Sequence, residues 1–182
     1  MNQITTRNYD FFKTELGFRK PNLIKRITSG ALVCALGVAG MNAFIDRFTI
    51  MIDYTGYRCL DARILLVDKY DKSANSGDIV AIEGVGVPIL PDENRYIKMV
   101  AGIPGETVTF DGTTVSSTGG FNRIAPLSTE YDLAKKKYNL GTEWVLKENQ
   151  VFLIGDTPHS LDGRVVGPSN PDHIIGKAYV LL

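Results

Sequence analysis

Two cysteines, one tryptophan and two histidines are all that the 182 residues contain of those types. So few cysteines exclude a disulfide-stapled scaffold, and no grouping of cysteine, histidine and carboxylate has the spacing of a metal site. A glycine-rich phosphate loop is also missing. Twenty basic residues meet twenty acidic ones, and a chain lacking a concentrated positive face is a poor partner for nucleic acid. No cofactor, metal or nucleic-acid partner is expected.

The charge is balanced overall but not along the chain. Residues 1–26 carry Arg7, Lys13, Arg19, Lys20, Lys25 and Arg26 against only Asp10 and Glu15, which leaves the body acidic. Ile27–Ile45 then runs without a charge, about the length of a helix that crosses a bilayer. Gly30, Gly37, Ala39 and Gly40 are small enough to let another helix approach. A cleaved leader would end in small residues, whereas Asp46-Arg47-Phe48 follows here. Because Arg19, Lys20, Lys25 and Arg26 crowd the first flank, the positive-inside rule places residues 1–26 in the cytoplasm. Residues 27–45 are expected to form a transmembrane helix in the bacterial inner membrane, and 46–182 to lie across it, which in a Gram-negative cell is the periplasm.

Beyond the span the pattern is that of short strands and glycine turns. Phe48–Tyr54, Arg63–Tyr70, Ile79–Glu83, Gln150–Ile154 and Ile174–Leu182 read as strands, and Asp111-Gly112 between Glu106–Phe110 and Thr113–Ser116 reads as a hairpin. Residues 117–150 show little period: a helical turn or two within Thr129–Tyr138, a strand at Glu143–Leu146, and the character of a cover over the core or a flap. The exported part is therefore mainly β.

Chemistry is concentrated at Arg95–Glu106. Lys98 stands there within Tyr96, Ile97, Met99, Val100, Ala101 and Ile103, before the turn Gly102-Ile103-Pro104-Gly105. Burial disfavours the charged form of an amine, which makes a lysine in such a run a candidate general base; the competing reading is a strand lysine that snorkels to water. Cys34 belongs to the apolar span, so Cys59 is the lone exported thiol. It is either a small buried hydrophobe or a working group.

These blocks resemble the type I signal peptidases, and more closely the small TraF-type peptidases of conjugal transfer, over about residues 46–182. Such proteins carry a base lysine on an apolar strand followed by G-x-P-G, here Lys98 and Gly102–Gly105. They also carry a late G-D block followed by S-x-D-S-R-x-x-G, here Gly155-Asp156 and Ser160-Leu161-Asp162-Gly163-Arg164-Val165-Val166-Gly167, with Gly163 in place of the middle serine. Gly77-Asp78 matches a further block. The nucleophilic serine is missing: Cys59 holds its place before Leu60, and Asp61 stands where proline is usual. Tyr57 occupies the position of an oxyanion-binding hydroxyl, with Thr55 at a different offset.

The resemblance implies a signal-peptidase-like β domain behind one transmembrane helix. It also implies a Cys59/Lys98 dyad, Ser160 orienting the lysine, an Asp162–Arg164 ion pair and Asp156 in support. A thiol, with an ordinary pKa of about 8.5, needs less activation than a serine hydroxyl. The backbone N–H of Cys59 would bind the oxyanion. The expected activity is processing, and possible cyclisation, of an exported conjugative pilin or other pre-protein through an acyl-thioester. Rival readings are a non-catalytic scaffold docking other conjugation or type IV secretion subunits, a Ser73 or Ser76 nucleophile, a His159 or His173 base, and a housekeeping leader peptidase.

Overall fold

The computed structural model describes residues 22–52, 59–84, 94–137 and 141–182. The surface segment expected before residue 22, the strand end at Asp53 and Tyr54, the Thr55 and Tyr57 hydroxyls and most of the Gly84–Pro91 connection lie outside these residues. The chain forms two compact units, one ending at Phe44 and one comprising Ile45–Leu182.

Helix α1, Leu23–Arg47, has 25 residues and no buried side chain. At 1.5 Å per residue it is about 37 Å long, enough for a hydrocarbon core of about 30 Å. It starts four residues before the uncharged run and ends two after it, since long cationic side chains at the ends of a span can reach the interface. Ser29 and Thr28 donate back to the Lys25 carbonyl, at 2.6 and 3.1 Å, so their hydroxyls need no water. Length and composition suit a single-pass membrane anchor.

The second unit is mainly β, as the strand pattern predicts. A six-stranded antiparallel sheet has the order β1-β2-β10-β3-β4-β9, where β1 is Phe48–Ile52, β2 Ile64–Asp68, β3 Ile79–Glu83, β4 Arg95–Gly102, β9 Phe152–Ile154 and β10 Ile174–Val180. A four-stranded sheet, β7-β6-β5-β8, is built from β5 Thr107–Phe110, β6 Thr114–Ser117, β7 Asn122–Ile124 and β8 Glu143–Val145. The Asp111 hairpin forms as expected. Its carboxylate accepts from the Thr113 and Thr114 N–H groups, at 2.8 and 2.7 Å, and these bonds hold it below the usual carboxylate range.

Strand β4 decides where the chemistry sits. Its alternation sends Ile97, Met99 and Ala101 into the main core with Val67, Phe110, Phe152 and Ile154, while Val80, Val100, Leu153 and Ile174 form a second cluster that includes Tyr96. Lys98 pairs in register with Val80 and belongs to that second face. At the strand's end, a Cβ on Gly102 would lie 2.3 Å from a Val108 methyl and Gly105 has φ +87°, so the G-x-P-G turn needs both glycines for different reasons.

Residues 117–150 are integral to this fold. They supply β7, β8 and helix α2, Thr129–Lys137, and they bury Ala125, Leu146 and Lys135. The Ser128 carbonyl accepts from Asp132 N–H, Glu130 and Asp132 sit in the first turn, and Lys136 pairs with Asp132 at 2.7 Å. Each suits the helix dipole or its i,i+4 spacing.

Candidate active site

The loop Gly155–Gly167 follows β9 directly, and β9 lies beside β4, so the two sequence blocks meet through sheet pairing. Lys98 is 4% exposed. Its Nζ lies 2.9 Å from Cys59 Sγ, 2.7 Å from Ser160 Oγ and 2.9 Å from the Leu161 carbonyl. An ammonium has three donors, and these three partners match them in number. In the uncharged form the same amine can take the proton of the adjacent thiol, and the hydroxyl and carbonyl fix the direction of its lone pair. The snorkelling alternative is not what the side chain does. Ser160 is buried and Cys59 is partly exposed.

The loop is held against the Cys59 segment by backbone contacts. Asp156 N–H donates to the Cys59 carbonyl at 3.0 Å, and the Asp156 carboxylate accepts from Asp61 N–H at 2.9 Å. A Cβ on Gly155 would lie 2.2 Å from both the Cys59 carbonyl oxygen and Ser160 Oγ, so only glycine permits this approach. Asp156 also meets Arg123 of β7 at 3.3 Å, and Arg123 touches the Met99 sulfur.

Asp162 and Arg164 are fully buried side chains joined at 2.6 and 2.8 Å. The second Asp162 role is local: it accepts from Gly155 N–H at 2.7 Å and from Arg164 N–H at 3.1 Å, capping the one-turn helix α3, Gly163–Val166. That helix lies within the stretch expected to be only a loop; four residues leave no period to read. Arg164 further donates to the Ala125, Pro126 and Thr157 carbonyls. Such a pair is tolerable in the interior because every nitrogen of the guanidinium is bonded.

Residues 23–182 match the family described as signal peptidase, peptidase S26. The chain belongs to that family. A crystal structure of a signal peptidase I from Enterococcus faecalis V583 is 25% identical, covering 62% of this chain and 99% of that chain at a TM-score of 0.39. No match is found among curated proteins.

Membership implies peptidase activity and suggests an exported pre-protein as substrate. In this signal peptidase, all six residues singled out from sequence, Cys59, Lys98, Asp156, Ser160, Asp162 and Arg164, lie in one contact network. Ser73 and Ser76 do not belong to it: both are exposed in the loop before β3, and the Ser73 hydroxyl donates to Asp71. His159 is exposed within the Gly155–Gly167 loop, while His173 lies in the 3-10 turn Pro171–His173 before β10. Gly163 also has a physical reason. A Cβ there would stand 2.8 Å from the Leu153 carbonyl and 2.9 Å from the Phe152 ring, so this peptidase has no room for the serine usual at that position. Sequence reasoning missed Arg123, the Leu161 carbonyl and Lys135. A narrow cavity beside Lys98 is lined by apolar Ile82, Tyr96, Leu153, Leu161 and Val166 together with the polar Glu83, Asp162 and Ser169.

Proposed function

We propose that this signal peptidase uses Cys59 as nucleophile, Lys98 as general base and Ser160 to orient the lysine, acting on an exported pilin or other pre-protein at the outer face of the inner membrane. The observation that carries the reading is the single Lys98 amine within hydrogen-bond distance of both the Cys59 thiol and the Ser160 hydroxyl. Lys98 takes the thiol proton as Sγ adds to the substrate carbonyl. The tetrahedral oxyanion is held by the Cys59 N–H, and collapse breaks the C–N bond, with the Lys98 proton passing to the leaving amine. The product on the enzyme is an acyl-thioester.

Water resolves that thioester to a linear product, and a substrate's own amino terminus resolves it to a cyclic one. Thioesters favour amines over water more than oxygen esters do, which supports pilin cyclisation by a TraF-type cysteine variant. The scaffold reading expects Cys59 and Lys98 to stand apart, and a distance of 2.9 Å speaks against it.

The test is mass spectrometry of a co-expressed pilin precursor with the wild type and the Cys59→Ala, Cys59→Ser and Lys98→Ala variants. A product lighter than the linear form by one water, lost in both alanine variants, supports the cyclase. A linear truncated product supports hydrolysis instead. Unchanged processing in both alanine variants overturns the dyad.

A further inference from the structure

Arg123 is the charged residue of β7, at the edge of the four-stranded sheet, and the reaction above does not use it. Its two terminal nitrogens meet two different parts of the site. Nη1 donates to the Met99 sulfur at 3.3 Å, and Nη2 donates to Asp156 Oδ2 at 3.3 Å. Met99 follows Lys98 on β4 and pairs in register with Ile154, the last residue of β9 before Gly155 and Asp156. One guanidinium therefore touches both the strand that carries Lys98 and the start of the loop that carries Ser160.

Asp156 passes that hold on to the Cys59 segment. Its other carboxylate oxygen accepts from Asp61 N–H at 2.9 Å, while its own N–H donates to the Cys59 carbonyl at 3.0 Å. These bonds grip successive peptide units just after Cys59, with buried Leu60 between them. Rotation of the carboxylate would release one of the two grips. With 19% of its side chain exposed, Asp156 has water to turn to, and the charge-assisted bond from Arg123 fixes its direction. Other groups fasten the far end of the same loop. Arg164 donates to the Ala125 and Pro126 carbonyls. Lys135 is 6% exposed and donates to the Arg164 and Gly141 carbonyls, with the Phe110 and Trp144 rings 5.2 and 5.0 Å from its amine.

We propose that Arg123 is a positioning residue: by fixing the Asp156 carboxylate it fixes the backbone after Cys59, and so keeps the thiol at the Lys98 amine, 2.9 Å away. The inference rests on the Cys59–Lys98 dyad. It gives the four-stranded sheet a part in the chemistry, because its edge strand sets the geometry of a pair carried by other elements.

Iodoacetamide reads how much of a thiol is in its reactive thiolate form. The full-length protein in detergent is alkylated near neutral pH, and peptide mapping follows Cys59 and Cys34 separately, with Cys34 as the internal control for reagent and detergent. Arg123→Met is expected to slow alkylation of Cys59 about tenfold, within the roughly 100-fold that a misplacement of about 1 Å costs a reacting pair, and to leave Cys34 unchanged. Partly exposed ion pairs add little to stability, so the melting temperature should fall by no more than about 4 °C. Arg123→Lys, whose ammonium meets the same carboxylate, recovers most of the rate. Asp156→Ala slows Cys59 at least as much as Arg123→Met does, and adding Arg123→Met to it slows Cys59 no further.

A wild-type Cys59 rate in Arg123→Met overturns the proposal, and a lowered melting temperature beside that rate marks the arginine as merely structural. Slowing that Arg123→Lys does not recover overturns it too, by making the arginine a packing residue. Further slowing in the Asp156→Ala background routes the effect around Asp156 and is equally fatal. Failure of the dyad is seen separately, as a Lys98→Ala variant alkylated at Cys59 as fast as wild type.

Discussion

Lys98 Nζ stands 2.7 Å from the Ser160 hydroxyl, and that same amine stands 2.9 Å from the Cys59 thiol. In the proposed mechanism the hydroxyl sets where the lone pair points. Ser160→Ala should lower kcat by about 10- to 100-fold, less than the roughly 100- to 10,000-fold that a positioned general base itself contributes, and leave KM nearly unchanged. Ser160→Thr, which keeps a hydroxyl, should recover part of the rate. Equal loss in kcat and gain in KM would instead make Ser160 a substrate-binding group.

Gly155 tests how closely the loop must approach Cys59. A methyl at this position would collide with the Cys59 carbonyl oxygen and Ser160 Oγ, each 2.2 Å away. Gly155→Ala should push Cys59 and Ser160 away from Lys98, cost about 1–3 kcal/mol in stability, and reduce turnover far more than that stability loss accounts for. Thermal unfolding compared with turnover decides it. A variant that melts lower but turns over normally would show that the approach is structural only.

The two blocks of the site were legible because each is local in sequence. An apolar strand with one lysine marks a candidate base, and the resemblance implies an ion pair for Asp162 and Arg164, two apart in one loop. Their meeting was legible only through resemblance, since the β4–β9 pairing is a tertiary fact. Residues 117–150 resisted reading for a different reason. β7 and β8 have three residues each, too few to show alternation, and their partners β6 and β5 define them. Lys135 stands in a row with Lys136 and Lys137, and nothing local distinguishes a lysine that docks on two carbonyls from one that faces water. Arg123 was hidden in the same way, between Asn122 and Ile124 on a strand too short to assign.

The Asp162–Arg164 pair predicts an asymmetry between variants. Arg164→Met leaves a buried carboxylate that still accepts from Gly155 and Arg164 backbone N–H groups, and Asp162→Asn leaves a guanidinium bonded only to carbonyls and a neutral amide. Removing one partner of such a pair commonly costs about 3–5 kcal/mol. Arg164→Met should be the worse, because it also frees the Ala125, Pro126 and Thr157 carbonyls. Denaturant unfolding of both variants checks the order, and equal or reversed losses would mean that the carbonyl contacts contribute little.

Lys135 gives the protein a dependence on pH whose sign is unusual. Burial lowers its folded-state pKa below the unfolded value, so between the two the unfolded chain holds more protons than the folded one. Stability contributed by this residue therefore rises with pH through the alkaline window that ends near the ordinary lysine value of about 10.4. Lys135→Met has no such titration. The gap in melting temperature between wild type and Lys135→Met should move in favour of wild type as pH is raised from 7 towards 10. Trp144, the only tryptophan, lies 5.0 Å from the amine and supplies the fluorescence signal in wild type and variant alike. A gap that stays constant across this range would mean that Lys135 keeps its ordinary proton affinity in the fold, and that its two carbonyls and two rings compensate fully for the water it has lost.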